Sequence, residues 1–297
     1  MILLRDLHDI SEFKQVIDLE QEIWGYTDFA DVVTVPVLII TVKRGAILIG
    51  AFDETNRMVG FVYSIVGMKH GKPMQWSHMA GVVPAYRGRG LGRDLKLAQR
   101  ERALDAGFDL IEWTFDPLQA ANAHLNFAKL GVVADEYAVN IYGDSSSALH
   151  RGTPTDRLVV QWKIREPHVL RRLQSSRVPE FQSSNVQVAE SQSARIPLAR
   201  ASEAANAPVV NRTAQRGEWP VNESIDSSID ERRVWVRIPA GFTEMQQQAP
   251  DIALEWRMHT REIFQTYFGR GYRAVDFELD RQHGGGRYLL AKGEETP

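Results

Sequence analysis

The chain has 297 residues, 43% hydrophobic and 25% charged, with a formal net charge of -3, which suits one large or two small domains and gives no basic footprint for nucleic acid. It has no cysteine, which excludes disulfides, thiolate metal sites and a cysteine acyl-enzyme. No run approaches the roughly 18–20 apolar residues of a membrane span, and Met1–Asp9 lacks the basic-then-apolar layout of a secretion signal, so a cytoplasmic protein with neither membrane nor nucleic-acid partner and no metal is expected.

Residues 3–7 read as a first strand. Asp9 with Glu12 three positions on is a helix-start signal, and Phe13, Val16, Ile17, Glu20 and Ile23 follow at helical spacing up to Gly25. Thr34 ahead of Pro36 starts a second helix that closes at Arg44-Gly45. Gly45–Phe52 and Met58–Met68 form a hairpin around the polar turn Asp53–Arg57, and Lys69–Pro73 turns the chain into a strand over Met74–Val83. That strand leads through a glycine-rich turn into a helix reaching about Ala106, where Gly107 stops it. Asp109–Phe115 alternates as a strand parallel to the previous one, joined by a right-handed crossover. Asp116 caps a helix that starts at Pro117 and ends at Leu130-Gly131. Strands Val132–Tyr142 and Leu158–Ile164, with a turn at Gly143–Ser147 between them, complete an α/β domain over residues 1–166. A connector is expected over 167–194 and a smaller region over 195–297. Within these, 174–230 is rich in Ser, Gln, Asn and Ala with weak periodicity. Val234–Ile238, a helix Pro250–Phe268, Tyr272–Leu279 and Arg287–Lys292 then give a β-α-β-β order. Gly269-Arg270-Gly271 follows a helix, as a C-cap does. This tail extends the sheet, covers the substrate side or forms a dimer surface; a homodimer is an option the residues leave open.

The turn between the third pair of elements carries the chemistry. In Arg87-Gly88-Arg89-Gly90-Leu91-Gly92-Arg93 alternate glycines let the backbone approach a ligand, and a helix beginning here presents unpaired N–H groups with partial positive charge. Three arginines add full charges, so the expected ligand is a phosphate or diphosphate. The order is not that of a dinucleotide fingerprint, because the third glycine would fall on Arg93, and no Walker pattern occurs. It fits [QR]xxGx[GA] after a strand ending VxP, with Arg87, Gly90 and Gly92 at the signature positions. Here the sequence resembles the GNAT superfamily of acyl-CoA-dependent N-acyltransferases. The stretches Trp113–Leu118, Asn122–Asn126, Asn140–Gly143 and Gly152–Trp162 resemble a longer subgroup of it, some of whose members look like N-succinyltransferases of amino acids.

The resemblance implies an α/β fold with a mixed twisted sheet, two parallel strands splayed around pantetheine, flanking helices, and acetyl-CoA or another acyl-CoA as co-substrate. It also implies a small-molecule amine, such as an amino acid, as acceptor. Cofactor contacts are expected from Val82, Val83, Arg87, Gly88, Arg89, Gly90, Leu91, Gly92, Arg93 and Phe127, with a backbone N–H of Val82 or Val83 polarising the thioester carbonyl. Strict alternation puts Trp76, His78, Ala80 and Val82 on one face. His78 is then a candidate base, or a half-buried histidine satisfied by its neighbours. Phe127 stands where the family's general-acid tyrosine does, so Tyr142 or Tyr137 supplies the hydroxyl, the thiolate leaves unassisted, or the protein is a non-catalytic acyl-CoA-binding module. Asp116 is a candidate for receiving an ammonium, or simply a helix cap. Arg157 is a candidate carboxylate clamp, or a turn partner of Asp156. Asn126 is placed with the substrate contacts.

Overall fold

The computed structural model describes residues 2–26, 28–143, 152–175, 206–280 and 285–293. The expected turn beyond Gly143 and the connector beyond Ser175 lie outside these residues. Among the described residues no helix is long and apolar enough to cross a membrane.

The amino-terminal half begins with β1 (Leu3–Asp6), α1 (Ile10–Trp24) and α2 (Val35–Val42), followed by the meander β2 (Ile47–Phe52), β3 (Met58–Lys69) and β4 (Lys72–Val82). α1 starts with a capping box in which Asp9 and Glu12 satisfy each other's backbone N–H groups, and ends at Gly25 in the left-handed region. After a short 3-10 turn (Pro84–Tyr86) come α3 (Leu91–Asp105) and β5 (Leu110–Phe115). The next helix does not start at Pro117 as expected. Asp116 instead closes a turn, accepting the Leu118 N–H on its side chain and the Gln119 N–H on its carbonyl. α4 begins at Ala120 (Ala120–Ala123) and widens into a π-helix over His124–Leu130 that ends at Gly131, φ 73°. β6 (Val133–Ala138) is shorter than its apolar run, because Asn140 (φ 45°) and Gly143 (φ 58°) bend the chain away from the sheet. β7 (Arg157–Lys163) follows, then α5 (Pro167–Ser175), a helix the composition of this region conceals.

The tail contains a polar hairpin, β8 (Asn211–Arg216) and β9 (Trp219–Ile225), then β10 (Arg233–Pro239), α6 (Phe242–Gln248), α7 (Pro250–Gly269), β11 (Tyr272–Asp280) and β12 (Gly285–Lys292). Ten strands form one sheet in the order β1-β2-β3-β4-β5-β7-β6-β11-β12-β10, so the tail extends the sheet of the first half. The join is the antiparallel pair Ala134–Ala274. Side chains reinforce it. Tyr137 stacks on Phe264 at 5.8 Å, Tyr288 meets Phe127 edge-on at 5.6 Å, and the Tyr288 hydroxyl donates to the Pro117 carbonyl at 2.7 Å.

Two ion pairs made by α7 cross the join. Arg257 of α7 donates both ends of its fork to Asp116 at 2.8 Å each, and Arg261 does the same to Asp156. The first pair is buried on both sides, with 1% and 9% side-chain exposure. Burial works to raise the Asp116 pKa, but the Arg257 guanidinium holds it below the ordinary range. Breaking a buried pair leaves an unmatched charge, so Arg257→Ala is expected to cost about 3–5 kcal/mol in denaturant unfolding, whereas Arg257→Met combined with Asp116→Leu costs clearly less.

Candidate active site

β4 and β5 pair in parallel at Gln75–Ile111 and Trp76–Glu112 and then part. Ser77–Val82 on one side and Trp113–Phe115 on the other flank an open gap that leads up to the glycine-rich turn. Its floor lies on the α3 side, where the buried Lys96 amine reaches Ser77 Oγ (3.0 Å) and Gln99 Oε1 (2.8 Å) and lies 3.6 Å from the centroid of the Trp113 ring. Burial drives the Lys96 pKa well down.

A β-bulge decides what faces the gap. Tyr63 pairs with Met79 but Ser64 pairs with Ser77, so His78 is an extra residue in β4. Ser77 meets Lys96 and Gln99 of α3, whereas a Cβ on Gly81 would touch Ile23 and Trp24 of α1. Unbroken alternation would have put residues 77 and 81 on one face. The expected shared face of Trp76, His78, Ala80 and Val82 is therefore corrected: the bulge turns Ala80 and Val82 to the side opposite Trp76. His78 sits at the bulge with its ring edge-on to Tyr63 at 6.1 Å. Its side chain is solvent-accessible, yet the surrounding protein excludes enough water to lower its pKa below the usual histidine range.

The backbone between bulge and turn is also selective. Val83 N–H donates to Val59 O at 3.0 Å, so it does not face the gap as expected. In an extended strand the N–H groups of Val82 and Ala80 then point the other way, toward β5.

In the turn, Gly88 (φ 76°) and Gly90 (φ 84°) occupy the left-handed region, and a Cβ on Gly88, Gly90 or Gly92 would meet nothing within 4 Å. Among the described residues no protein acceptor meets the backbone N–H groups of Gly88 through Arg93, while Asp94 N–H already closes onto Gly90 O. Arg87 Nε holds Val82 O at 2.9 Å, and Arg89 lies over the Tyr86 ring at 5.6 Å. The Tyr86 hydroxyl is anchored on Asp53, whose carboxyl is held down to about 2, first by the Thr55 hydroxyl. Arg93 turns away from its neighbours toward Leu173 O at 3.5 Å.

The end of α1 and the connection after β6 come together beside the gap. The Tyr142 hydroxyl bonds Thr114 Oγ1 of the parted β5 at 2.7 Å, and the Arg157 guanidinium lies 5.5 Å from the Tyr142 ring. Tyr26 is pushed up to about 12, first by burial and then by Glu20 and Asp31, and it also feels Tyr142 and Arg157. Three expected residues take other places. Asp116 is engaged by Arg257 rather than open to an ammonium. Phe127 is fully buried against Phe115 and Tyr288 and lies in the core, and Asn126 is buried on the π-helix, 5% exposed. Tyr137 donates to Asp156 at 3.0 Å and is buried, so Tyr142 is the tyrosine of that pair placed at the gap.

Glu20 carried no signal beyond its place on an apolar helix face. It is fully buried, with Oε2 accepting Val33 N–H at 3.0 Å and Oε1 without a partner among the described residues. Burial raises its pKa to about 7. The folded state thus binds this proton more tightly than the unfolded one, so stability falls as pH rises from the unfolded value near 4.5 to about 7 and levels off above. Glu20→Gln is expected to flatten that window and to gain on the order of 1–2 kcal/mol at pH 8, read from unfolding curves at pH 5 and 8.

No protein-family model and no curated protein matches the chain. Solved structures do. A chain of the NatC complex bound to Gag peptide and CoA is 15% identical and covers 55% of this chain and 98% of its own, TM-score 0.44. An acetyltransferase of the GNAT family from Streptococcus pneumoniae is 18% identical over 54% and 98%, TM-score 0.44. The ribosomal-protein-S18-alanine N-acetyltransferase from Escherichia coli is 16% identical over 56% and 96%, TM-score 0.42. The meander, the parted parallel strands and the strand-to-helix glycine turn of the amino-terminal half are the features that the resemblance to the GNAT superfamily leads one to expect.

Proposed function

We propose that the protein is an acyl-CoA-dependent N-acyltransferase that moves an acetyl or succinyl group to the amine of a small molecule, such as an amino acid, by direct attack in a ternary complex. The observation that carries this reading is the row of backbone N–H groups without protein acceptors at Gly88–Arg93, in line with those of Val82 and Ala80 along one gap. The turn amides and the Arg89 charge bind the diphosphate. Ala80 and Val82 N–H groups hold the pantetheine and polarise the thioester carbonyl, an effect worth most in a water-poor gap. His78, neutral at pH 7 because its pKa is lowered, takes a proton from the attacking amine. The amine nitrogen bonds to the carbonyl carbon as the carbon–sulfur bond breaks, and Tyr142 returns a proton to the thiolate.

A second reading, a non-catalytic acyl-CoA-binding module, is favoured by Phe127, which offers no hydroxyl where relatives of the resembled family have one. Thiol release from acetyl-CoA and succinyl-CoA over a panel of amino acids separates the two: turnover supports the enzyme, and CoA binding without turnover on any amine supports the module.

Gly90→Val places a branched side chain in the left-handed region at the ligand's approach. It is expected to weaken CoA binding by about tenfold or more in calorimetry. His78→Ala is expected to lower kcat about a hundredfold with CoA affinity unchanged. The wild-type rate rises with pH through the lowered His78 pKa, below 6.5, and that limb disappears in the variant; a variant at full rate with the limb intact makes His78 a packing residue.

A further inference from the structure

The tail repeats the architecture of the half it joins. In the strand order β5-β7-β6-β11-β12-β10 each side reads the same outward from the centre. β5 and β6 are joined through α4 and enclose β7; β10 and β11 are joined through α6 and α7 and enclose β12. The central rung pairs Ala134 with Ala274, and each of these alanines is followed by a bulge, at Asp135 and at Val275. The parallel contact of β4 on β5 has its counterpart in Pro208–Val210 against β10, where Val210 N–H donates to Trp235 O and Trp235 N–H to Pro208 O, both at 2.8 Å. Among the described residues the glycine turn has no counterpart, and the hairpin of β8 and β9 follows at that place.

We infer that the tail is a turnless second copy of the β5–β7 unit acting as a built-in partner, and that its Arg261 positions Tyr142 in the acceptor side of the gap. The path is continuous. Arg261 grips the fully buried Asp156 with Nε and Nη2, each at 2.8 Å. Asp156 Oδ1 accepts Asn140 N–H at 3.0 Å, holding the left-handed turn after β6. Asn140 Oδ1 accepts both Thr155 N–H and Thr155 Oγ1–H, at 3.0 and 3.1 Å. Thr155 Oγ1 accepts Tyr142 N–H at 3.0 Å, and the Tyr142 hydroxyl meets Thr114 at the parted strand. Arg261 touches neither the gap nor the glycine turn, so it acts through this relay and leaves the coenzyme side alone.

The inference rests on the acyltransferase reading for its kinetic consequence but not for its structural one, and the test uses the full chain with both readouts. In Arg261→Met the acceptor KM is expected to rise, or kcat to fall, by about tenfold, with the CoA dissociation constant within about twofold of wild type. Hydrogen exchange at the Tyr142 amide is expected to speed up by a similar factor. Arg261→Lys, which keeps the charge without the fork, recovers part of both. Asn140→Gly suits the φ of 45° and removes the relay's side chain, so it folds and gives the same acceptor-side loss whether or not Arg261→Met is stable. Variants that keep the wild-type acceptor KM, kcat and Tyr142 protection overturn the inference. A wild-type protein that binds no CoA overturns the acyltransferase reading, and the exchange measurement then still decides the positioning role.

Discussion

One surplus residue in β4 governs the rest of this structure. Up to Ser77 the strand is in step with β3 and shares rungs with β5. At His78 it gains a residue, its faces exchange, and from there on it keeps β3 as its partner while the pairing with β5 has ended. A strand that bulges twists more strongly, and here the parting leaves two backbone edges facing each other with N–H groups exposed. In most sheets such an opening would be a defect, because unpaired peptide groups are costly when dry. Its floor is well satisfied: Ser77, Gln99 and Lys96 bond one another, and Trp113 and Trp162 shield the amine. The opening therefore begins at a defined rung instead of fraying.

The tail solves a second problem. The loop after β6 leaves the sheet through a left-handed asparagine and carries a half-exposed tyrosine toward the gap, which a loop of this kind does not hold in place unaided. Two arginines from α7 neutralise the carboxylates at its base, one at the end of β5 and one at the start of β7. Each is a planar fork on a carboxylate, the geometry that fixes direction as well as distance. Buried ion pairs are weak sources of net stability, and here the matched oxygens belong to the segments that border the gap.

The local parts of this arrangement were legible in the residues. Glycines and arginines at 87–93 announce themselves within one short stretch, and the apolar periodicities around them mark the meander, α3 and β5. The bulge left no mark, since Gln75-Trp76-Ser77-His78-Met79 reads equally well with or without an extra residue and alternation was assumed through it. Asp116 looked open because its partner Arg257 lies 141 positions away on a helix that reads as ordinary surface-to-core amphipathic. Alignment to the family's motif puts Phe127 at the coenzyme, whereas the widened helix around it and Tyr288 of β12 draw its ring into the core. Weak periodicity over 174–230 suggests irregular or short-stranded structure; the place and register of the β8–β9 hairpin stay illegible because polar residues such as Asn211 and Asn222 bond each other instead of following an apolar beat.

The pairing of Ala134 with Ala274 has a consequence for how this molecule meets copies of itself. A sheet ends in rows of open peptide groups that can template further strands. In this chain the lateral border of β6 is sealed by its own β11, and the far border at β10 is hemmed by Pro208–Val210 and by the Asn211 carboxamide, which accepts from Arg237 N–H and donates to Arg237 O. What stays open at the other extreme is β1, four residues long and carrying Arg5 and Asp6. A sheet ten strands wide thus offers a growing fibre little more than a short charged lip.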